Sequence, residues 1–487
     1  MPSSSKPISG VPPKISLSLA VLPLVTMVGL FAMGAAFLEM STELLILVML
    51  SSAAVAGRVA RHMGKSWEDI QTSTGQKLAS VLPAILILLS IGMLIGTWVA
   101  SGTIPMLVYY GLQLIDPSYL VVTAFLTTSM MSLCTGTSWG SAGTIGVALM
   151  GMATALGAPL APTAGAIVSG AYFGDKLSPL SDSTNISAIG AGASLYGHIR
   201  QMLYTAVPSF VIAGLVYAFM ARLPIADGDL PESARKLLKD INLIYSMSII
   251  TLIPVLVVVV GIVMRTPPVL AMAASSITAC LVGVIVQGFT LQSALLAAVR
   301  GFNVSMLADK ELEIAAIGQN ASALLNRGGL YSMVNTLVVI IAAFLLAGAM
   351  DVSGALNRLI EALLSIGTST FALVGATMAA GTTMISLTSH GGVTALVVGD
   401  LFQKAYDQRN LARENLSRSI EDSVTIVEPL LPWTVSAVYM ATTLEVPTLS
   451  YAPWAIFCIG GPVFSMLYAA TYDRLGFGLK ANTATSA

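Results

Sequence analysis

Charge is scarce in this chain: 10% of its 487 residues are Asp, Glu, Lys or Arg, where a soluble domain carries roughly a quarter. That shortage excludes an ordinary water-exposed globule. Neither sign dominates, with 23 Lys and Arg against 24 Asp and Glu, so the clustered basic face that nucleic acid requires is missing. No nucleic-acid partner is expected. Cysteine is nearly absent as well: Cys134, Cys280 and Cys458 are odd in number and sit in apolar stretches. That leaves no disulfide framework and no thiolate metal cluster. The polar, Pro-rich start MPSSSKPISGVPPK is followed by no small-residue cleavage site at a workable distance. Residues 1–14 are therefore expected to be a retained cytoplasmic tail rather than a signal peptide.

What fills the chain instead is apolar. Hydrophobic residues make up 55% of it, the mean hydropathy is +0.84, and they come in blocks of about 20, the length that crosses a bilayer as helix. The expectation is an all-α, multi-pass membrane protein of the plasma membrane. Hydropathy places crossings at 15–37, 43–60, 79–100, 201–222, 241–264, 268–288, 334–350 and 451–472. Two Gly-rich zones, about 118–157 and 368–408, are cut by CTGTSWGSAG and LTSHGG, which predicts re-entrant hairpins of two half-depth arms. Such breaks survive at membrane depth only where protein covers them. After each zone comes an interrupted helix, about 160–190 and 417–444, broken around Pro179 and around Pro429 and Pro432, which lack an amide donor.

Counting each interrupted helix as a crossing and each hairpin as none gives about 10 transmembrane helices plus two re-entrant hairpins. An odd number per half inserts the second half upside down, so the halves are expected to be inverted-topology repeats: 15–222 and 241–474, with an external linker 223–240 and a C-terminal tail 475–487. The letters carry a trace of the repeat: Gly96-x4-Ser101-Gly102 matches Gly348-x4-Ser353-Gly354, and Met131-Ser132-Leu133 matches Ile385-Ser386-Leu387. Basic residues should mark the inside. With both termini cytoplasmic, Arg58, Arg61, Lys65, Lys77, His198, Arg200, Arg265, Lys404, Arg409, Arg413, Arg474 and Lys480 fall inside, and Glu39, Glu43, Asp116 and Glu445 outside. The segment 289–333 fits less well, since it lies outside yet holds Arg300, Lys310 and Arg327.

Broken helices in corresponding places of two inverted halves point to a transport site at the midplane. The first break holds Asp175, Lys176, Ser178, Ser181, Asp182, Ser183, Thr184 and Asn185, and the hairpin before it adds Thr135, Thr137, Ser138 and Ser141. Carboxylates, hydroxyls and free carbonyls are ligands for a small hard cation, so Na+ or H+ binding is expected, with Asp175 and Asp182 as the Na+ ligands. Each of the two also has a structural reading, as a helix cap or a partner for Lys176. Ionisable groups cost roughly 3 kcal/mol each at bilayer depth, which weighs toward function for the segment as a whole.

The second repeat offers Ser389, His390, Arg418, Glu421, Asp422, Thr425 and Glu428. Arg418 and Asp422 are four apart and can neutralise each other on a helix; Glu428, before Pro429, has no evident partner. His390 at the tip either titrates near neutral pH or hydrogen-bonds the turn. Asp351 and Asp400 have no cluster around them, and Asp309, Glu311 and Glu313 read as a solvated face. Gly136-Thr137-Ser138-Trp139-Gly140 matches G-x-S-x-G but lacks the strand-turn-helix that a nucleophile elbow needs. Asp175 and Asp400 each follow Gly, a remote echo of intramembrane aspartyl proteases, without their GxGD motif.

The run TGTSWGSAGTIGVALMGMATALGAPLAPTAGAIVSGAYFGDKLSPLSDSTN at 135–185 resembles the NhaC family of Na+/H+ antiporters, and NLSRSIEDSVTIVEPLLPW at 415–433 resembles its second signature. The resemblance implies a secondary transporter, not an enzyme, exchanging Na+ for H+ in a bacterial-type inner membrane, with an elevator-like motion and no resident cofactor. It singles out Asp175, Ser178, Asp182, Thr184, Asn185, Arg418, Glu421 and Asp422. Glu428, Thr434 and the SHGG tip at 389–392 depart from the pattern of sodium-proton members. Some relatives resemble malate and lactate exchangers, so Na+-coupled organic-anion exchange, with Arg418 as anchor for a carboxylate, is the alternative. A homodimer through scaffold helices in contact with membrane lipid completes the expectation.

Overall fold

The computed structural model describes residues 15–38, 41–220, 231–310, 312, 317–364 and 369–482. The expected tail 1–14, Glu39, residues 223–230 of the expected linker, Glu311, Glu313 and the chain end 483–487 lie outside the described residues. Among the described residues the chain is helix, turn and coil, with one isolated antiparallel bridge between Leu411 and Ala481. Contacts divide it into two units, Met1–Ser80 with Ile341–Ile366, and Val81–Ile340 with Gly367–Ala487.

In the first unit, α1 (Leu17–Phe37) and α2 (Thr42–His62) pack together and start on Ser16 and Ser41, whose hydroxyls accept the amides of Leu19 and Leu44. These caps satisfy donors that a helix start leaves free. The polar α3 (Trp67–Ser80) turns Ser73 and Lys77 onto Asp351, at 3.1 and 3.3 Å. Asp351, which had no expected partner, thus has two.

The second unit opens with α4 (Leu82–Ala100) and α5 (Thr103–Leu114). A hairpin follows, α6 (Leu120–Thr135) and α7 (Ser138–Leu156), reversing at Gly136 (φ 69°), where the backbone is left-handed. Then come α8 (Leu160–Leu177) and α9 (Asp182–Ala191), separated by the break at 178–181, and α10 (Leu195–Met220). Gly170 and Gly174 let α8 lie directly on α6: a Cβ on Gly174 would fall on the backbone of Ser132 and Leu133. Small residues spaced by four are the usual means of such close approach.

The expected span at 241–264 is not one helix. It is α11 (Glu232–Ile244) and α12 (Ile253–Val263), bent by 103°. Gln287 fixes the bend, accepting the Ser246 amide at 2.9 Å and donating to the Ser246 carbonyl at 3.1 Å, while Ser248 caps the next turn. After α13 (Pro268–Ile285), α14 (Leu291–Arg300), α15 (Gln319–Leu325) and α16 (Val334–Val352), α17 (Ala355–Leu364) returns to the first unit. The second hairpin is α18 (Thr370–Thr388) and α19 (Gly391–Gln408); the second broken helix is α20 (Arg413–Ser423) and α21 (Val435–Leu444), and α22 (Ile456–Leu475) closes the fold after a 58° bend.

Among the described residues nine helices are long and apolar enough to cross a membrane, or twelve if each bent pair is one span. The hairpin arms are longer than half-depth. Pro117–Thr135, Ser138–Leu156 and Thr370–Thr388 each run 19 residues, about 28 Å at 1.5 Å per residue.

Local geometry recurs along the chain at one offset. Gly136 (φ 69°, ψ 23°) and Ser389 (φ 56°, ψ 13°) end the first arms, and Thr137 (φ −142°, ψ 121°) and His390 (φ −143°, ψ 119°) open the second arms. The hydroxyls of Thr135 and Ser141 pair at 3.3 Å, those of Thr388 and Thr394 at 2.6 Å. Ser181 caps α9 as Thr434 caps α21, and Gly192 and Glu445 end those helices left-handed. Every pair is 253 positions apart (389 − 136). The letter match of Ser132 with Ser386 is therefore one residue out of register.

Candidate functional site

Each hairpin tip meets the break of the helix that follows it. At the first hairpin Ser138, at the start of α7, donates its hydroxyl to Asp175 at 2.8 Å, and Ser181 donates from the break at 2.5 Å. Asp175 is buried, although it sits where α8 is about to end. The break is held by side chains that take its free carbonyls, as ends of helices require. Thr184 donates to the carbonyls of Asp175 and Lys176 at 3.0 and 3.2 Å, and Asn185 to those of Pro179 and Ser181 at 3.1 and 2.7 Å. Ser178 accepts the Leu180 amide at 3.3 Å. Thr135 and Thr137 likewise shape the tip, Thr137 capping α7 through the Gly140 amide. Asp182 is apart from these: it is exposed in the first turn of α9.

At the second hairpin and break Glu428 occupies the position of Asp175, 253 residues on (428 − 175). It is buried, faces the amide of Gly391 at the hairpin tip, and meets the hydroxyl and amide of Ser436. Glu428, expected without a partner, has these. Thr434 donates to the Glu428 carbonyl at 2.5 Å. Ser389 is buried with its hydroxyl unpaired; the His390 ring leaves Nδ1 unpaired, and its carbonyl rather than its ring holds the turn, accepting from Thr394 at 3.0 Å.

Ion pairing differs from the expected pattern. Asp422 pairs not with Arg418, one turn away, but with Lys176 from the first broken helix, and both groups are fully buried. Ser465 and Thr205 also donate to Asp422, at 2.6 and 3.4 Å. Arg418 instead donates to the Gly478 carbonyl at 2.5 Å and lies 5.8 Å over the Tyr468 ring, with Nε and Nη2 unpaired. Glu421 accepts from Ser187 at 3.0 Å, has Thr425 beside it, and leaves Oε2 unpaired. His198, expected as a loop charge, is fully buried against Ser417 at 2.8 Å. Asp400 is exposed while Asp175 is buried, the opposite of two carboxylates sharing one proton.

Four buried carboxylates on the two broken helices (Asp175, Glu421, Asp422, Glu428) therefore face two buried cations, Lys176 and Arg418. Fully ionised, the cluster carries an excess of two negative charges (4 − 2), and uncompensated buried charge is strongly unfavourable. It can be relieved by protons or by small cations. Tyr172, with its hydroxyl buried beside Ser436, lies within the field of both Asp175 and Glu428. Sequence reasoning passed over Tyr172, Gly391 and Ser436; Ser436 lies 253 positions beyond Ser183, so the tip register would have found it.

The model of the Na+/H+ antiporter family matches residues 5–193 and 170–471. A protein of Haemophilus influenzae described as an uncharacterized Na(+)/H(+) antiporter is 43% identical over 453 residues, 93% of this chain and 95% of that one. The Na(+)/H(+) antiporter NhaC of Alkalihalophilus pseudofirmus is 32% identical over 478 residues, covering 97% and 98%. A malate-2H(+)/Na(+)-lactate antiporter of Bacillus subtilis is 33% identical over 425 residues, covering 86% of each. With apolar helices enough for a multi-pass membrane protein and matches of this extent to transporters rather than enzymes, the chain belongs to the Na+/H+ antiporter family.

Proposed function

We propose that this chain exchanges Na+ for H+ across the membrane by alternating access, with Asp175 holding either ion. One observation carries the assignment: a buried carboxylate receives hydroxyls from both the hairpin tip (Ser138) and the helix break (Ser181). Protonated, it is neutral and tolerates burial; deprotonated, it offers Na+ a charge with hydroxyl oxygens beside it, the ligand chemistry of a hard cation. Thr135, Thr137, Ser178, Thr184 and Asn185 keep tip and break in shape, and Asp182 acts from the rim. In the second unit Ser389, His390, Glu421, Thr425 and Glu428 flank the same cluster, which Lys176 and Asp422 tie together.

The reading extends to motion and placement. The two hairpins and broken helices, inserted in opposite orientations, move as one body against the remaining spans, both termini face the cytoplasm, and two copies pair through the outer helices. Proteoliposomes carrying a pH-sensitive dye test the exchange: an imposed Na+ gradient moves protons through wild type and not through Asp175→Asn. A second reading, organic-anion exchange, is favoured by the unpaired Nε and Nη2 of buried Arg418, which suit a carboxylate, and by the malate-lactate relative. Malate or lactate required for sodium-driven proton movement, together with its loss in Arg418→Lys, would select that reading.

A further inference from the structure

We infer that Glu428 is a second exchangeable cation site, the counterpart of Asp175, so that the cluster holds two protons or alkali cations in place of one. The inference rests on the exchange reading above and adds the number and place of the charges. Its first support is register. Asp175 and Glu428 are 253 positions apart (428 − 175), the offset at which both tips reverse, both hydroxyl pairs form and both second half-helices are capped. Each carboxylate meets the first residue of a second hairpin arm, Ser138 for Asp175 and Gly391 for Glu428; of the cap hydroxyls, Ser181 donates to the Asp175 carboxylate and Thr434 to the Glu428 main-chain carbonyl.

Charge is the second, independent support. Asp422 is matched by Lys176 in direct contact, and Arg418 is the cluster's one other cation, so that over the four carboxylates two negative charges (4 − 2) are left without compensation. Burial at this depth requires two mobile positive charges. The third support is unpaired polar atoms around the second carboxylate's tip. The Ser389 hydroxyl and His390 Nδ1 are buried without hydrogen-bond partners, buried polar groups are ordinarily satisfied, and the Tyr172 hydroxyl lies beside Ser436. Together with Glu428 and Ser436 they supply donors and acceptors for an ion or a hydrated proton. The titratable groups that face Glu428 are Asp175 and Tyr172 from α8; α21 contributes the neutral Ser436.

The test counts protons. Full-length protein in detergent and weak buffer is saturated with NaCl across a range of pH, and released protons are counted per chain. About two protons at the pH of greatest release are expected, one per carboxylate. Glu428→Gln and Asp175→Asn should each halve the count, and the double variant should abolish it. Ser436→Ala keeps both carboxylates but removes a donor that favours the ionised Glu428, so half of the release should persist to higher pH. Unchanged release from a folded Glu428→Gln protein, or halving by Glu421→Gln in its place, overturns the second site while leaving exchange at Asp175 intact. Wild type that releases no proton at all defeats the exchange reading itself.

Discussion

Lys176 and Asp422, 246 positions apart, form an ion pair with no exposure on either side chain, and it joins the two broken helices. Ser465 and Thr205 supply further donors to the carboxylate, and the Phe457 ring lies 5.7 Å from the ammonium. A pair so placed is costly to break, because one partner lost strands the other charge. Asp422→Leu or Lys176→Met alone should each destabilise the protein by about 3–5 kcal/mol, and the two together should recover most of it. Thermal unfolding of the purified variants checks this. A double variant no better than the singles would mean that the pair does more than neutralise itself.

Close contact of α6 with α8 depends on glycine. A Cβ at Gly174 would land on the backbone of Ser132 and Leu133, which cannot yield as a side chain does. Gly174→Ala is expected to cost about 1–3 kcal/mol and to displace Asp175, one residue on, so that transport falls with stability. Gly75→Ala is the control: nothing lies within 4 Å of its Cβ position on the exposed face of α3. Helix propensity predicts that it stabilises by about 0.5–1 kcal/mol.

The breaks were legible because they violate hydropathy locally: Gly136, Pro179, Pro429 and Pro432 stand out in apolar runs, and each falls in a tip or an unwound stretch. Partners were not legible. Spacing along one helix suggested Arg418 for Asp422, since four residues is the only neighbourhood a single helix reveals; Lys176 comes from another helix. Asp182 looked equal to Asp175 in the letters, yet one helix start puts Asp182 outside and leaves Asp175 at the buried end of α8. The span at 241–264 failed because hydropathy does not register the two hydrogen bonds from Gln287 to Ser246.

Ser389 holds a left-handed backbone (φ 56°) where the first tip has Gly136. For a residue with a Cβ this costs about 1–2 kcal/mol. Its hydroxyl makes no hydrogen bond that would offset the cost, and strain of this kind collects at functional sites. Ser389→Gly should melt no lower than wild type while exchanging ions more slowly. Wild-type exchange would remove the hydroxyl from the site. The reverse change, Gly136→Ser, should be harmful, as its Cβ would lie 2.8 Å from that of Leu180.

The segment 289–333 argues less against an external position, since of its three basic residues only Arg300 remains exposed. Arg327 is buried in a 2.6 Å pair with Glu445, and Lys310 donates to the Ile244 carbonyl while lying 4.7 Å over the Phe289 ring, so both act within the protein rather than as loop charge. With exposed Cys134 replaced by Ser and Cys280 and Cys458 buried, an impermeant thiol reagent added outside cells should label Asp116→Cys and spare Lys65→Cys. Both positions are exposed. The opposite labelling pattern would invert the orientation and move the basic end of α2 outside.

Asp175 and Asp182 separate most clearly by pH. If Na+ and H+ compete for Asp175, apparent Na+ affinity is full where the carboxylate is ionised and weakens as pH falls, by about tenfold per unit once protonation dominates a one-proton site. Asp175→Asn removes one titrating group, so high-affinity binding at this site and its share of the slope should be lost, leaving only what Glu428 contributes; the amide keeps the shape but not the charge. Asp182 is exposed at the start of α9, where an acid favours the helix N-terminus by about 0.3–1 kcal/mol. Asp182→Asn should therefore lower stability slightly and keep the slope, with at most a modest fall in affinity. Sodium titrations of the three proteins at several pH values decide it. A slope reduced equally in both variants would make Asp182 a ligand in its own right, brought to the ion by a movement that its exposed position does not reveal.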